Sequence, residues 1–366
     1  MAELQWTAEQ AEALTATEHV LLTANAGTGK TTTVVGKIMW LLGIQRGVDR
    51  STGDRIAPCP NPCELREIVA ITFTEKAAVD LRNKLRQAIA TSPEAEALRW
   101  RLDEAFIGTI HGFCGSLLRE HSLRLGIDPS FRVLDERASR VAQNEIVRET
   151  ILGQLEKGDP LAEKLLRRYT LNGFRNSNGA VDLVRSTLSD LRWYPERYAS
   201  WHEMYEEGLE SPRVVQGWDD PDDGDALTLT YALYTLAARA LQAWDEYTDD
   251  ENARDFDSLI LDARALLAAD GGQSALAEVR RRCRILIIDE FQDTNGAQRD
   301  IAFAIAGEGA GPQLFLVGDP KQSIYGFRGA DIAVWNEVRK TIAGRGRILS
   351  LTRNFRSEPA VVEVVN

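Results

Sequence analysis

The chain has 366 residues, of which 44% are hydrophobic and 27% charged, and its net charge is −12. This length exceeds one compact core and is enough for two or three domains. The polar, acidic N-terminus MAELQWTAEQ is unlike a signal peptide, and no apolar run approaches the ~20 residues that a membrane-spanning helix needs. Four cysteines favour a reducing compartment over a disulfide scaffold, so we expect a cytoplasmic protein.

The first strongly patterned segment is ANAGTGKT, residues 24–31, which departs from the phosphate-binding pattern G-x-x-x-x-G-K-[ST] only at Ala24. The apolar residues 19–24 before it predict a buried strand, and the helical spacing of the apolar residues after it predicts a helix. Strand, glycine loop and helix together suit a phosphate site, because backbone N–H groups and the helix N-terminus face the anion. The alternative is an ordinary glycine turn before a helix.

Each position of such a loop has a chemical role. The backbone N–H groups that would face the phosphates belong to Gly27, Thr28 and Gly29. Lys30 would reach the β- and γ-phosphates, and the Thr31 hydroxyl would bind Mg²⁺. The predicted nucleotide site also includes the residues that flank these positions, Ala26 and Thr32.

The segment VDRSTGDRIAPCPNPC, residues 48–63, is rich in Pro and Gly and predicts a surface loop before the strand Glu67–Phe73. Cys59 and Cys63 form a C-x-x-x-C pair within it. A metal site needs about four ligands, and the chain has no second cysteine pair. We therefore expect ordinary loop cysteines.

Residues 136–255 lack strand patterning and predict a helical insertion. Apolar residues recur there at helical spacing in three stripes, which predict a helical core rather than a binding face. The stripes are Val147, Ile151 and Leu155; Val181, Val184, Leu188 and Leu191; and Leu229, Leu233, Leu236, Ala240, Trp244 and Tyr247.

The acidity of the chain is local. Residues 200–257 contain 16 acidic and 3 basic residues, whereas the rest of the chain contains 39 acidic and 40 basic residues. A near-neutral remainder is compatible with a basic groove for nucleic acid, although its charge gives no positive support for one.

The segment CRILIIDEFQDTN predicts a buried strand, residues 285–288, that ends in Asp289 and Glu290. An Asp at the end of a parallel strand can hold the Mg²⁺ shared with Thr31, and Glu290 can orient and deprotonate the attacking water. The alternative is a capped strand end, which a second phosphate motif in the expected order disfavours.

A further strand, residues 313–317, is followed by GDPKQSIYGFRGAD. The neutral amide of Gln322 could contact the γ-phosphate and respond to its loss. An aromatic and basic cluster in the glycine-bearing loop suits base stacking and phosphate contact, with a small aromatic core as the alternative. The cluster consists of Tyr325, Phe327 and Arg328.

In family order and over nearly the whole chain, these motifs resemble the UvrD/Rep family of superfamily one helicases. ANAGTGKT is similar to the family's own loop, in which Ala at the first position is usual. The resemblance implies an α/β fold, a P-loop RecA-like parallel sheet flanked by helices, with an all-helical insertion subdomain. It also implies an ATP-dependent DNA helicase or translocase that uses ATP and Mg²⁺.

The resemblance assigns further site residues. Gln10, in TAEQAEAL, would contact the adenine edge; in LTRNFRS, Phe355 would stack on adenine and Arg356 would contact the γ-phosphate. The DNA contacts implied by AITFTEKAA and GTIHGFC are Thr72, Phe73, Lys76, Thr109, His111 and Phe113. The expected catalytic residues are Lys30, Asp289, Glu290, Gln322 and Arg356.

The motifs also predict the domain organisation. Residues 1–135 and 256–343 form the two parts of the first RecA-like domain, residues 136–255 the insertion, and residues 344–366 the start of a second, truncated RecA-like domain. Because the chain stops at AVVEVVN, within a segment predicted to be helical, we expect an N-terminal fragment. GDPKQSIYGFRGADI and DPSFRVLDE favour the RecB/AddA branch, and Thr32 stands where UvrD-like members often carry Arg.

The resemblance implies 3′-to-5′ movement on single-stranded DNA, coupled to unwinding in repair or recombination. The expected partners are single-stranded DNA and single/double-strand junctions, and no membrane. A further possible partner is a nuclease or a second helicase-like subunit. The alternative function is that of an ATP-binding regulatory or inactive helicase-like subunit that does not translocate.

Overall fold

The computed structural model describes residues 4–44, 47–174, 177–210, 221–268, 275–307, 309, 311–322 and 332–355. They form two compact units. One lies within residues 1–129 and 259–366, and the other is Ser130–Ser258. We call the first the sheet unit and the second the helical unit.

The strands are β1 (Gln5–Trp6), β2 (His19–Ala24), β3 (Val48–Asp49), β4 (Ile68–Thr72), β5 (Phe106–Thr109), β6 (Arg132–Val133), β7 (Ala253–Arg254), β8 (Ile285–Ile288), β9 (Gln313–Gly318) and β10 (Gly346–Leu351). The helices are α1 (Ala8–Thr15), α2 (Lys30–Leu41), α3 (Glu75–Ala90), α4 (Ile110–Glu120), α5 (Ser122–Leu125), α6 (Glu136–Glu156), α7 (Pro160–Arg168), α8 (Ala180–Trp193), α9 (Glu196–Glu210), α10 (Pro221–Asp250), α11 (Phe256–Ala268), α12 (Ala275–Arg282), α13 (Gly296–Ala306) and α14 (Ile332–Arg345). In the described ranges, no helix is both long and apolar enough to cross a membrane.

A six-stranded parallel sheet organises the sheet unit. Its strand order is β10-β2-β9-β8-β4-β5, so β2 lies between β10 and β9, the last two strands in the described part of the chain. Every residue of β4 and β8 is buried, as expected for parallel strands that helices cover on both faces. This sheet, with helices between successive strands, confirms the predicted α/β fold.

Strand β10 corrects the predicted start of the second domain at residue 344. It pairs with β2 from Gly346 opposite His19 to Leu351 opposite Ala24, so it is an edge strand of the first sheet. Its residues Ile348, Leu349 and Leu351 are apolar, as are most residues of the neighbouring strand β2. The segment is therefore paired within the sheet unit. The remaining predicted domain boundaries stay predictions.

The segment predicted as a surface loop, residues 48–63, is partly core. Its first two residues form β3, which pairs in parallel with β1. Cys59 and Cys63 are buried in the hydrophobic core, and the Trp40 indole N–H donates a hydrogen bond of 2.7 Å to the Ala57 carbonyl. The segment therefore packs against α2, because its small and apolar residues cover apolar surface of that helix.

The helical unit has the predicted core. Side chains from all three apolar stripes pack together, among them Val147, Leu188 and Leu236. The structure adds a two-residue parallel pair, β6 with β7, to the predicted helices. A bidentate ion pair lies in the interior, where Arg192 donates two hydrogen bonds of 2.7 Å to Asp255.

Lys37 is an unexpected buried charge in the sheet unit. Its side chain is 0% exposed, and Nζ donates hydrogen bonds to the carbonyl oxygens of Leu14, at 3.1 Å, and Ala16. The ammonium also lies 4.6 Å from the centroid of the Trp40 ring. Burial lowers the pKa of Lys37 from 10.5 to about 7, because an ammonium is costly to remove from water, although Cys59 and Glu18 act in the opposite direction.

We expect this burial to make stability depend on pH. Between pH 7 and 10.5 the unfolded chain keeps the Lys37 proton and the folded chain loses it, so folding becomes more favourable as pH rises. The free energy of unfolding of the wild type, minus that of Lys37→Met, should rise by up to about 1.4 kcal/mol per pH unit in this range. Urea unfolding at pH 7, 8, 9 and 10 measures the difference; parallel curves for the two proteins would contradict it.

Candidate functional site: the carboxyl edge of the parallel sheet

The loop between β2 and α2 has the backbone of a phosphate site. Gly27 and Gly29 have φ angles of 81° and 86°, in the left-handed region that favours glycine. Thr28 is buried, and its hydroxyl donates to the Asn25 carbonyl at 2.8 Å, which stabilises the turn. Lys30 then begins α2, and Thr31 is half-buried in its first turn. The N-terminal N–H groups of α2 therefore face the loop, where an anion can bind.

Three segments meet at Lys30. Its Nζ atom lies 3.0 Å from Glu290 Oε2, beyond the end of β8, and 3.4 Å from Gln322 Oε1, beyond the end of β9. The Lys30 side chain is only 12% exposed, so this ion pair is partly shielded from water. The structure thus brings together three predicted catalytic side chains that are up to 292 residues apart in the chain.

Two neighbouring carboxyl groups lie where a cation is favourable. Burial, with the charge of Glu290, raises the pKa of Asp289 to about 6. The same two causes raise the pKa of Asp293 to about 6, and Asp293 Oδ1 is buried with no hydrogen-bond partner among the described residues. Each pKa is raised because the anionic form is disfavoured there, and a divalent cation would relieve that cost.

These residues fit Mg²⁺ held with a phosphate ligand. In the described part of the chain, no group of three or more His, Cys, Asp or Glu side chains could hold a metal by itself. Mg²⁺ needs no such group, since it commonly binds one or two carboxylates, substrate phosphates and water. The residues predicted to supply the protein side of that arrangement are Asp289 and Thr31.

Gln10 and Phe355 flank the same loop. The buried Gln10 donates from Nε2 to the Thr28 carbonyl at 3.5 Å, and the Phe355 N–H donates to the Gly27 carbonyl at 2.8 Å. A methyl group added at Gly29 would lie 2.9 Å from Gln10 Nε2 and 3.9 Å from the Phe355 ring. Phe355 is 53% exposed, so its side chain is partly accessible to solvent beside the loop.

Gln10 also has a structural role that the motif assignment missed. Thr7 and Gln10 form a capping box at the start of α1. The backbone N–H of Gln10 donates to Thr7 Oγ1 at 3.2 Å, and the backbone N–H of Thr7 donates to Gln10 Oε1 at 3.1 Å. The pattern T-x-x-Q in TAEQ carried this signal.

The predicted DNA contacts lie on β4 and β5 and just after them. Lys76 is exposed in the first turn of α3, while Phe73 and His111 are half-buried after the two strands. Thr72 is buried, and its hydroxyl donates to the Thr74 carbonyl at 3.0 Å. Because β4 and β5 are adjacent and parallel, the two predicted DNA motifs share one edge of the sheet.

Two of these residues, Phe113 and Thr109, have structural roles within the fold. Phe113 is buried, with its ring centroid 5.3 Å from that of Phe106 in an edge-to-face arrangement. The Thr109 hydroxyl donates to Glu75 Oε1 at 2.8 Å and accepts from the Gly112 N–H at 3.2 Å, which makes it the N-cap of α4. Phe113 therefore offers no ring face for base stacking in this structure.

Several predicted residues lie outside the described residues. The residues outside are Tyr325, Phe327, Arg328 and Arg356. Ala26 accepts a hydrogen bond of 3.3 Å at its carbonyl from Asn354 Nδ2, and Thr32 is exposed on α2.

Sequence reasoning missed Gln292 and Asp293. The Gln292 amide donates to Glu290 Oε2 at 3.0 Å and to Asp293 Oδ2 at 3.1 Å, so both residues adjoin the predicted catalytic carboxylate. They follow Glu290 within DEFQDTN, a segment in which only Asp289 and Glu290 received roles.

Comparison with known families agrees with this geometry. Residues 6–343 match the family described as UvrD/REP helicase N-terminal domain. The chain belongs to this family. Membership confirms the resemblance that the motifs indicated, and it accounts for the phosphate loop, the acidic strand end and the parallel sheet as parts of one helicase domain.

Two kinds of relative resemble this UvrD/REP helicase domain. It is 27% identical over 361 residues to DNA helicase II of Escherichia coli (strain K12), an alignment that covers 98% of this chain and 39% of the relative. It is 26% identical to a subunit of the ATP-dependent helicase/nuclease of Pelotomaculum thermopropionicum, with 99% of this chain and 38% of the relative covered. The chain therefore spans about two fifths of the length of these relatives.

The N-cap role of Thr109 has a measurable consequence. Thr109→Ala should lower the free energy of unfolding by about 1 kcal/mol, because the Gly112 N–H loses its acceptor, whereas Thr109→Ser should remain close to the wild type. Urea unfolding of the three proteins measures the cap. Equal stability of the alanine and serine variants would show that the cap contributes nothing.

Proposed function

We propose that this protein is the ATP-hydrolysing part of a DNA helicase or translocase. The observation that carries the proposal is the convergence of Glu290 and Gln322 on Lys30, at the carboxyl edge of a parallel sheet. A lysine at a helix N-terminus, with a carboxylate and an amide from two other strand ends, suits γ-phosphate binding and cleavage. Family membership and the names of both relatives support helicase function.

The residues divide the work of phosphoryl transfer. The backbone of residues 27–29 would bind the phosphates, and Thr31 with Asp289 would hold Mg²⁺. Mg²⁺, when bound with ATP, supplies charge neutralisation on the phosphate oxygens. Gln322 lies beside Lys30, where its amide could hydrogen-bond a γ-phosphate oxygen.

Glu290 is the proposed general base. Its carboxylate is paired with Lys30 in this structure. A phosphate oxygen is a competing anionic partner for the same ammonium, so nucleotide binding would leave the carboxylate available to accept a proton from water. Glu290 also has a φ of 53°, a conformation that non-glycine residues seldom adopt and that holds the side chain at the end of β8.

The residues that follow β4 and β5 support binding of nucleic acid. Phe73, Lys76 and His111 follow adjacent strands of the sheet that holds the nucleotide loop. Aromatic and basic side chains together suit stacking and phosphate contact with single strands. We propose single-stranded DNA and its junctions as substrate, 3′-to-5′ movement, and a role in repair or recombination. A nuclease or second helicase-like subunit is the proposed additional partner.

Lys30→Ala tests the nucleotide site. Loss of a charge-assisted contact with phosphate should weaken Mg·ATP binding by about ten- to a hundredfold, and hydrolysis stimulated by single-stranded DNA should be abolished. Titration calorimetry with Mg·ATP and a phosphate-release assay with oligo(dT) measure the two effects.

Lys340→Ala is the matched control, because Lys340 is an exposed lysine of α14 in the same unit. It should leave both quantities unchanged. Undiminished hydrolysis by folded Lys30→Ala would contradict the ATPase proposal. Wild-type binding of Mg·ATP with no stimulation by DNA would favour a regulatory or inactive helicase-like subunit instead.

Gln10→Ala tests adenine selection. An amide that pairs with the adenine edge is lost, so the affinity for ATP should fall more than the affinity for GTP. Thr7→Ala is the control, because it removes the other half of the α1 capping box and leaves the Gln10 side chain in place. Competition binding with both nucleotides measures the ratio, and equal losses of ATP and GTP affinity in Gln10→Ala would remove this role.

A further inference from the structure

The side chain of Gln292 connects the turn after β8 with the turn after β9. Gln292 is 3% exposed, and its two polar atoms face different segments. Nε2 donates to Glu290 Oε2 at 3.0 Å, while Oε1 accepts from the Asp319 backbone N–H at 2.9 Å. One buried amide thus joins the proposed general base to the backbone that leads to Gln322.

These contacts complete a closed ring. Lys30 Nζ bonds to Glu290 at 3.0 Å and lies 3.4 Å from Gln322 Oε1, and the Gln322 N–H donates to the Asp319 carbonyl at 2.9 Å. Gln292 closes the ring between Glu290 and Asp319. A displacement of either turn therefore strains a hydrogen bond of the other.

Packing restricts the Gln292 side chain to this position. A methyl group added at Gly318 would lie 2.5 Å from Gln292 Oε1 and 2.8 Å from the Trp335 ring, so the two turns approach as closely as a glycine permits. Trp335, which lies beside Gly318, is buried together with Phe291, and their ring centroids are 6.1 Å apart. This close packing leaves little free space around the Gln292 amide.

The amide chemistry matches what its two partners require. The Glu290 carboxylate needs a donor, and the Asp319 N–H needs an acceptor. Glutamine supplies both from one neutral side chain, whereas glutamate supplies only acceptors when ionised and leucine supplies neither.

We propose that Gln292 is a positioning residue of the ATPase, which fixes the Glu290 carboxylate and the turn that carries Gln322 as one rigid arrangement. This inference rests on the proposed function. Gln292 contacts neither the attacking water nor the phosphate in this role; it acts through Glu290 and through the backbone of Asp319. Its loss should therefore impair turnover more than nucleotide binding.

Two variants separate the ends of the connection. Gln292→Leu removes the donor and the acceptor at nearly constant volume. Gln292→Glu keeps the acceptor for Asp319 but loses the donor to Glu290 until the new carboxyl group is protonated. Gln313→Leu is the matched control, because Gln313 is a bridging amide at the other end of β9, with Nε2 donating to the Ala16 carbonyl at 3.0 Å.

Steady-state hydrolysis with saturating oligo(dT) is the first measurement. In Gln292→Leu, kcat should fall about ten- to a hundredfold with KM for ATP little changed, because the general base is displaced. Relative to the wild type at the same pH, Gln292→Glu should be equally impaired at pH 8 and partly recover towards pH 6, when a protonated carboxyl group can again donate. Gln313→Leu should keep the wild-type kcat per folded molecule.

Amide hydrogen exchange of residues 318–322 is the second measurement, and it needs no ATPase activity. The Asp319 N–H should exchange about tenfold faster in Gln292→Leu than in the wild type and in Gln313→Leu, because it loses its acceptor. Unchanged exchange, or unchanged kcat in an active background, would overturn the inference while leaving the proposed function intact. Absence of hydrolysis by the wild type would overturn the proposed function, and with it the positioning role of Gln292 in turnover.

Discussion

Parallel pairing of the central strands is the constraint on which the candidate site depends. Because β2, β9 and β8 run in the same direction, the segments that follow them leave the sheet at one edge. Lys30, Gln322 and Glu290 occupy those three segments. If any one of these strands ran antiparallel, the loop after it would lie at the opposite ends of the strands. The parallel orientation of the strands, more than any local contact, therefore brings the distant motifs together.

The site is electrostatically balanced around one lysine. Lys30 neutralises Glu290 directly, while the buried Asp289 and Asp293 have raised pKa values and favour a cation. A phosphate with its divalent cation brings both charges at once, which matches this environment. The loop before Lys30 turns through two glycines, because Gly27 and Gly29 have positive φ angles that glycine adopts without steric cost.

The two units bury charge in different ways. In the helical unit, burial alone would raise the pKa of Asp255, but hydrogen bonds and charge from Arg192 lower it to about 2. In the sheet unit, Lys37 is buried against two carbonyl oxygens and an aromatic face instead of a carboxylate, and its pKa falls to about 7. A paired charge is stabilised as an ion, whereas a charge among dipoles titrates near neutral pH.

The sequence alone determined the strand–loop–helix of the nucleotide loop, the acidic strand end and the apolar stripes of the helical unit. Those features depend on local periodicity and on residue types that chemistry requires at fixed spacing. Tertiary structure alone decided that β10 joins the first sheet, that Lys37 is buried, and that Gln292 joins Glu290 to Asp319. Each of these depends on which distant segments become neighbours in the folded chain. Contacts of this kind produce no periodic pattern of residues from which they could be predicted.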